Sequence, residues 1–193
     1  DFLNFDDVST KSIIRKIDVI IRSMMEDCEN TFEEDHYKSI NYRDNDVNKL
    51  VFLIFRIVKF GFEYPSYMAK KFNLVANDLS NLWLLATSLE SIADEVKRIS
   101  RKMKDIKLTK KEKQVFKKMF NEVRGNYLKM IKAYHTDNEK MTHEIINLKE
   151  DQVDRCDQFY LDNKNVFGIG FLTDKTKSLI VHICHLGRVI YQG

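Results

Sequence analysis

Apolar side chains recur every three to four residues along most of this 193-residue chain, which is the period of an amphipathic helix. Polar or glycine-containing breaks divide the pattern into six predicted helices. They run from Ser9-Thr10 to about Cys28, from about 44 to 63, from about 66 to 104, from about 109 to 131, from about 137 to 163, and from Thr173 onwards. Ser9-Thr10 are the expected caps of the first helix, and Thr109 with Glu112 three residues later is a capping-box pattern at the start of the fourth. Only 6 Gly and 1 Pro are available for turns, so the pattern predicts an all-α fold of long, antiparallel helices.

An internal similarity suggests how these helices are grouped. Residues 40–49 align with residues 146–155 at a constant offset of 106 (146 − 40), with identical Ile, Asn and Val and several conservative pairs. The two segments fall near the start of the second and the fifth predicted helices, where a duplicated three-helix unit would repeat. We therefore predict two tandem three-helix bundles, residues 1–105 and residues 106–193.

Charge is distributed unevenly along the chain. Residues 26–46 hold eight acids and two bases, a net charge of −6, and residues 97–118 hold eleven bases and two acids, a net charge of +9. The basic segment is compatible with nucleic acid, an acidic partner or anionic lipid. A solvated helical hairpin explains the same segment without a ligand.

Several features indicate where the protein works. Cys28, Cys156 and Cys184 form no Cys-x-x-Cys, which favours a reducing, cytoplasmic environment. No uncharged apolar run approaches the roughly 20 residues of a membrane span, so no membrane insertion is expected. The chain begins with Asp1 rather than Met, so we expect a fragment or a processed product.

Carboxylates at helical spacing are the main candidates for chemistry. Glu90 and Asp94 are four residues apart, so both lie on one face of the third predicted helix. A hard metal cation would compensate such a pair, because it prefers oxygen ligands. A solvated acidic face balanced by Lys97 or Arg98 is the alternative. The same four-residue spacing recurs at the start of the fifth predicted helix, in Glu150 and Asp154. The internal similarity places Asp44 and Asn48 at the matching positions of the second helix, so these four residues are further candidates.

Two segments of the sequence resemble a known protein family. Residues 89–99, Leu-Glu-Ser-Ile-Ala-Asp-Glu-Val-Lys-Arg-Ile, resemble the PhoU signature, and residues 43–56, beginning Arg-Asp-Asn-Asp-Val-Asn-Lys-Leu, are similar to its archaeal variant. The resemblance implies a pair of three-helix bundles that carries metal ions, such as iron, zinc or manganese. It implies a homodimeric negative regulator of phosphate uptake that contacts a phosphate transporter's ATPase or a sensor kinase. Archaeal members often carry an AbrB-like DNA-binding domain upstream, the only route to nucleic acid that the resemblance offers.

The chain departs from the family pattern at both implied metal sites. Asn48 replaces the second acid of the first motif, and Val181 and His185 stand where Glu and Asp would be expected. The resemblance therefore favours the first site over the second. The predicted metal ligands are Asp44, Asn48, Glu90 and Asp94 in the first site, and Glu150, Asp154 and His185 in the second.

The remaining motifs support no enzyme. A single Glu-x-x-His, Glu33 to His36, is half of what a ferritin-like di-iron oxidoreductase needs. No phosphate-binding glycine loop or nucleophile elbow is present, so no catalytic residue is predicted. His182 and His185 are either a partial zinc site or an ordinary surface pair. The alternative to a PhoU-like regulator is a helical oligomerisation or ligand-sensing domain of a transcription regulator, with vestigial metal sites.

Overall fold

The computed structural model describes residues 9–191, with side chains described through residue 189. In this part of the chain every regular element is a helix, which confirms the all-α prediction. The prediction about the start of the chain falls outside the described residues. The helices are α1 (Thr10–Glu29), α2 (Tyr37–Glu63), α3 (Pro65–Phe72), α4 (Ala76–Met103), α5 (Lys110–Thr136), α6 (Glu139–Asn147), α7 (Lys149–Asp162) and α8 (Ile169–Tyr191).

Two helix starts are set by the capping residues that the sequence predicts. At α1 the hydroxyl of Ser9 accepts the Ser12 N–H at 3.4 Å. At α5 the Thr109 hydroxyl accepts the Glu112 N–H at 3.3 Å, while the Glu112 carboxylate accepts the Thr109 N–H at 2.6 Å. Each cap satisfies backbone donors that have no partner inside the helix.

Three other boundaries differ from the prediction. Helix α2 begins at Tyr37, well before the predicted start. The prediction of a single helix over 66–104 is wrong. Asn73 adopts a left-handed conformation with φ of 52° and ends α3. The chain restarts as α4 where the Asp78 carboxylate accepts the Val75 N–H at 2.8 Å. The helix predicted over 137–163 is likewise interrupted at Leu148.

The connection between α7 and α8 ends earlier than predicted, because the last helix is predicted to begin only at Thr173. This connection ends at Gly168, which has a φ of 86°, and α8 begins at the next residue. A Cβ atom at this position would meet the flexible end of the Lys102 side chain, which can move aside. The left-handed backbone conformation is what favours glycine here.

The helices form two mutually packed sets that share one core. Helices α1, α2 and α4 pack against one another, as do α5, α6, α7 and α8. Contacts of α4 with α8 and of α1 with α5 join the sets. One continuous cluster of buried apolar side chains runs through both. The division into repeats at 1–105 and 106–193 stays a prediction, since the two sets are not separated in the core.

The acidic and basic segments of the sequence lie beside each other in the fold. Lys104 Nζ lies 3.9 Å from an Asp35 oxygen, and Lys117 Nζ lies 3.7 Å from a Glu33 oxygen. Arg124, two turns further along α5, lies 3.3 Å from Glu29. Part of the basic segment therefore neutralises the acidic segment of the same molecule.

A buried polar contact links the two sets of helices. Tyr127 of α5 is completely buried and donates its hydroxyl to Oδ1 of Asp18 on α1 at 3.0 Å. Arg22 donates to the same oxygen at 2.9 Å. Burial and the neighbouring Asp18 carboxylate raise the pKa of Tyr127 well above its usual value. Tyr127 therefore remains a hydrogen-bond donor throughout the neutral pH range.

Tyr127→Phe removes this hydrogen-bond donor, so that of the two donors described above only Arg22 still contacts the Asp18 carboxylate. We expect the free energy of unfolding to fall by about 1.5–3 kcal/mol, the usual contribution of a hydrogen bond to a charged group. Urea unfolding followed by circular dichroism measures this change. Tyr160→Phe is the matched control, because the Tyr160 side chain is 40% exposed. Equal stability of the Tyr127 variant and the wild type would contradict this role.

Candidate charge cluster between α2, α4 and α8

The first predicted site forms where α2 packs against α4. Asp44 on α2 is only 2% exposed, and its Oδ2 accepts a hydrogen bond from Nζ of Lys97 on α4 at 2.6 Å. The same Nζ atom lies 2.7 Å from Oδ1 of Asp94. Both distances are those of charge-assisted hydrogen bonds. Lys97 therefore joins Asp44 and Asp94 across the helix pair.

The cluster continues along α4 towards α8. Arg98 lies 2.5 Å from Oδ2 of Asp94 and donates to Oε1 of Glu95 at 2.9 Å. Lys175 of α8 approaches the same Glu95 oxygen at 3.5 Å. Glu95 is 4% exposed, and its Oε2 atom is buried with no hydrogen-bond partner. The charges of three helices thus meet in one partly buried network.

Glu90 is the carboxylate of the cluster that is least compensated. It lies one turn before Asp94 on α4 and is partly exposed. Burial raises the pKa of the Glu90 carboxyl, and so does the proximity of Asp94 and Asp44; Lys97 and Arg98 offset only part of the effect. Asp44 and Asp94 therefore share Lys97, and Glu90 lies near enough for their charges to act on its carboxyl group. Asn48, one turn after Asp44 on α2, is also partly exposed.

The arrangement of these side chains tests whether the implied metal ion fits. Asp94 faces Lys97 with one oxygen and Arg98 with the other, and Asp44 is engaged by Lys97. Within residues 9–189, no group of three or more His, Cys, Asp or Glu side chains is placed to hold a metal ion. The donor set, as arranged, does not fit a bound metal. Metal binding by Asp44, Asn48, Glu90 and Asp94 stays a prediction for measurement.

The residues of the second predicted site have different surroundings. Glu150 and Asp154 are exposed on α7, because the buried face of this helix is formed by Gln152, Cys156 and Phe159. The internal similarity therefore aligns the exposed Glu150 with a buried residue of α2. Among the described residues, α7 is joined to α8 by an ion pair of Asp157 with Lys177 at 2.8 Å, and not by Glu150 or Asp154.

His185 lies on α8 among cationic side chains. Partial burial lowers its pKa, and the nearby Arg188, His182 and Lys149 lower it further. The His182 and His185 rings meet edge to face with their centroids 5.9 Å apart. Cys184, between them, is buried. These contacts match the ordinary histidine pair that the sequence allowed, and metal binding by Glu150, Asp154 and His185 is untested.

Sequence reasoning missed Glu95 and Lys175 as members of the cluster. A signal for Glu95 exists, because it falls within the apolar stripe that contains Ile92, Val96 and Ile99, where a charged side chain must find a partner. The partnership with Lys175 had no signal in the sequence, since it depends on how α8 packs against α4. Glu33 and His36 lie near the start of α2, where His36 faces Glu34 at 3.8 Å.

Comparisons of the chain with protein-family models, curated proteins and solved structures gave no match. Across the described residues, no helix combines the length and apolar character needed to cross a membrane.

Glu90→Gln tests the electrostatics of the cluster. A raised pKa means that the folded state holds the proton more tightly than the unfolded state, so the ionised Glu90 carboxylate opposes folding. This destabilisation is absent at pH values below the pKa of Glu90 in the unfolded chain, and it is complete at pH values above the pKa of Glu90 in the folded protein. We therefore expect Glu90→Gln to increase the free energy of unfolding at neutral pH. The difference should disappear in acid, where the carboxyl group is protonated in both states.

Urea unfolding of the variant and the wild type over a series of pH values measures this effect. Glu150→Gln is the matched control, because Glu150 is exposed on α7 and the substitution should change stability little at any pH. A Glu90→Gln protein less stable than the wild type at neutral pH would show that the carboxylate contributes attraction instead.

Proposed function

We propose that this chain is a PhoU-type regulatory protein that lowers phosphate uptake or phosphate signalling by contacting a transporter ATPase or a sensor kinase, and that it catalyses no reaction. The observation that carries the proposal is the pairing of the two segments that resemble the family. Residues 43–56 lie on α2 and residues 89–99 lie on α4. These helices pack together, with Asp44 and Asp94 on either side of Lys97.

An exposed aromatic surface on the same helix pair supports action through protein contacts. Phe55 of α2 stacks on Trp83 of α4 with a centroid distance of 4.1 Å, and Phe52 meets Phe55 edge to face. The exposed fraction is 69% for Phe52 and 45% for Trp83. Exposed aromatic side chains grouped in this way are typical of protein interfaces.

Binding measurements with purified partners test the proposal. The chain is titrated against the phosphate-transporter ATPase and the phosphate sensor kinase of the same organism, and loss of the gene should raise phosphate uptake. Trp83→Ser should weaken partner binding by about tenfold or more, as expected for an aromatic anchor at an interface. Val19→Ser is the matched control, because Val19 is a 64% exposed apolar residue on α1.

Two results would oppose the proposal. One is the lack of binding to either partner by a folded chain, with uptake unaffected by loss of the gene. The other is a stable oligomer that Trp83→Ser dissociates while partner binding is missing, as measured by light scattering. The second result would favour the oligomerisation or ligand-sensing domain, which the aromatic surface also suits.

A further inference from the structure

The cation at the centre of the α2–α4 contact belongs to the chain itself. Nζ of Lys97 lies 2.6 Å from Asp44 and 2.7 Å from Asp94. A metal ion shared by the same carboxylates would lie roughly 2.0–2.6 Å from their oxygens. The ammonium group therefore occupies the volume in which a shared metal would bind.

The position of this ammonium group is fixed by the fold. Lys97 follows Asp94 by three residues on α4, so the two side chains emerge from one face of the helix. The Asp44 side chain is 3% exposed and that of Lys97 is 23% exposed, which leaves little water to compete for the pair. Arg98 takes the second oxygen of Asp94, so a metal would have to displace two cations.

We propose that Lys97 is the resident cation of this cluster and holds α2 against α4 in place of the metal ion that the family resemblance implies. The arrangement of the two helices is then independent of the metal supply of the cell. This inference depends on the geometry of the cluster and stands whether or not the proposed partners bind.

Removal of the ammonium group should convert the cluster into a metal site. In Lys97→Met, the carboxylates of Asp44, Glu90 and Asp94 would lack this cation. Asn48, one turn after Asp44, adds an amide oxygen on the same helix. Carboxylate and amide oxygens are the ligands that Mn²⁺ accepts. The variant should therefore gain the affinity for a hard cation that the wild type lacks.

The experiment compares the wild type, Lys97→Met and the double variant Asp44→Asn/Lys97→Met. Each protein is purified from medium with added Mn²⁺, incubated with Mn²⁺ and desalted, and its manganese, iron and zinc are measured by elemental analysis. The wild type should retain well under one equivalent, and EDTA should leave its melting temperature unchanged. Lys97→Met should retain about one equivalent of manganese, and EDTA should lower its melting temperature.

The double variant is the control for folding. It lacks both members of the buried pair, so it should keep the helical circular dichroism of the wild type and bind no manganese. Stoichiometric metal in the wild type, lost in Glu90→Gln/Asp94→Asn, would overturn the proposal. A Lys97→Met protein that takes up no manganese and is as stable as the wild type would also overturn it, because the helix pair would then need no cation. A Lys97→Met protein that fails to fold, while the double variant folds, would support it, because the buried Asp44 carboxylate would then lack its partner.

Discussion

The burial of α4 is the constraint on which the rest of the structure depends. This helix packs against α1, α2 and α8, and Leu89, Ile92 and Val96 are completely buried. In its second half, Asp94, Glu95 and Lys97 therefore lie buried or half-buried beside neighbouring helices, where water is limited. Such charges are costly unless an opposite charge lies within hydrogen-bonding distance. The network from Asp44 to Lys175 is the consequence.

The charge network also explains how the surface formed by α2 and α4 can be ordered and still available for binding a partner. Charged side chains hold α2 and α4 together at one end of their contact, and aromatic side chains lie exposed towards the other. A surface on rigid, tightly paired helices loses little conformational entropy when a partner binds. The proposed docking function needs this combination, and the contacts of Lys97 with Asp44 and Asp94 contribute to the rigidity.

The chain has a small net charge although it contains strongly charged segments, because its acidic and basic residues nearly balance. The loop after α1 lies beside the end of α4, where Asp35 faces Lys104, and beside the first half of α5, where Glu33 faces Lys117. The fold therefore neutralises internally part of a polarity that, in the linear sequence, suggests an external partner. Exposed pairs of this kind add little to stability each, so their main effect is on which surfaces remain charged.

The sequence by itself determined the helical class, the caps of α1 and α5, and the apolar stripes that form the core, because helix periodicity and capping are local properties. It also identified Asp44, Glu90 and Asp94 as one group. The tertiary structure alone decided that Lys97 lies between Asp44 and Asp94, that Glu95 meets Lys175, and that Glu150 faces solvent. These outcomes depend on the rotation of each helix about its axis and on its neighbours, and helices that are far apart in the sequence fix both only when they pack.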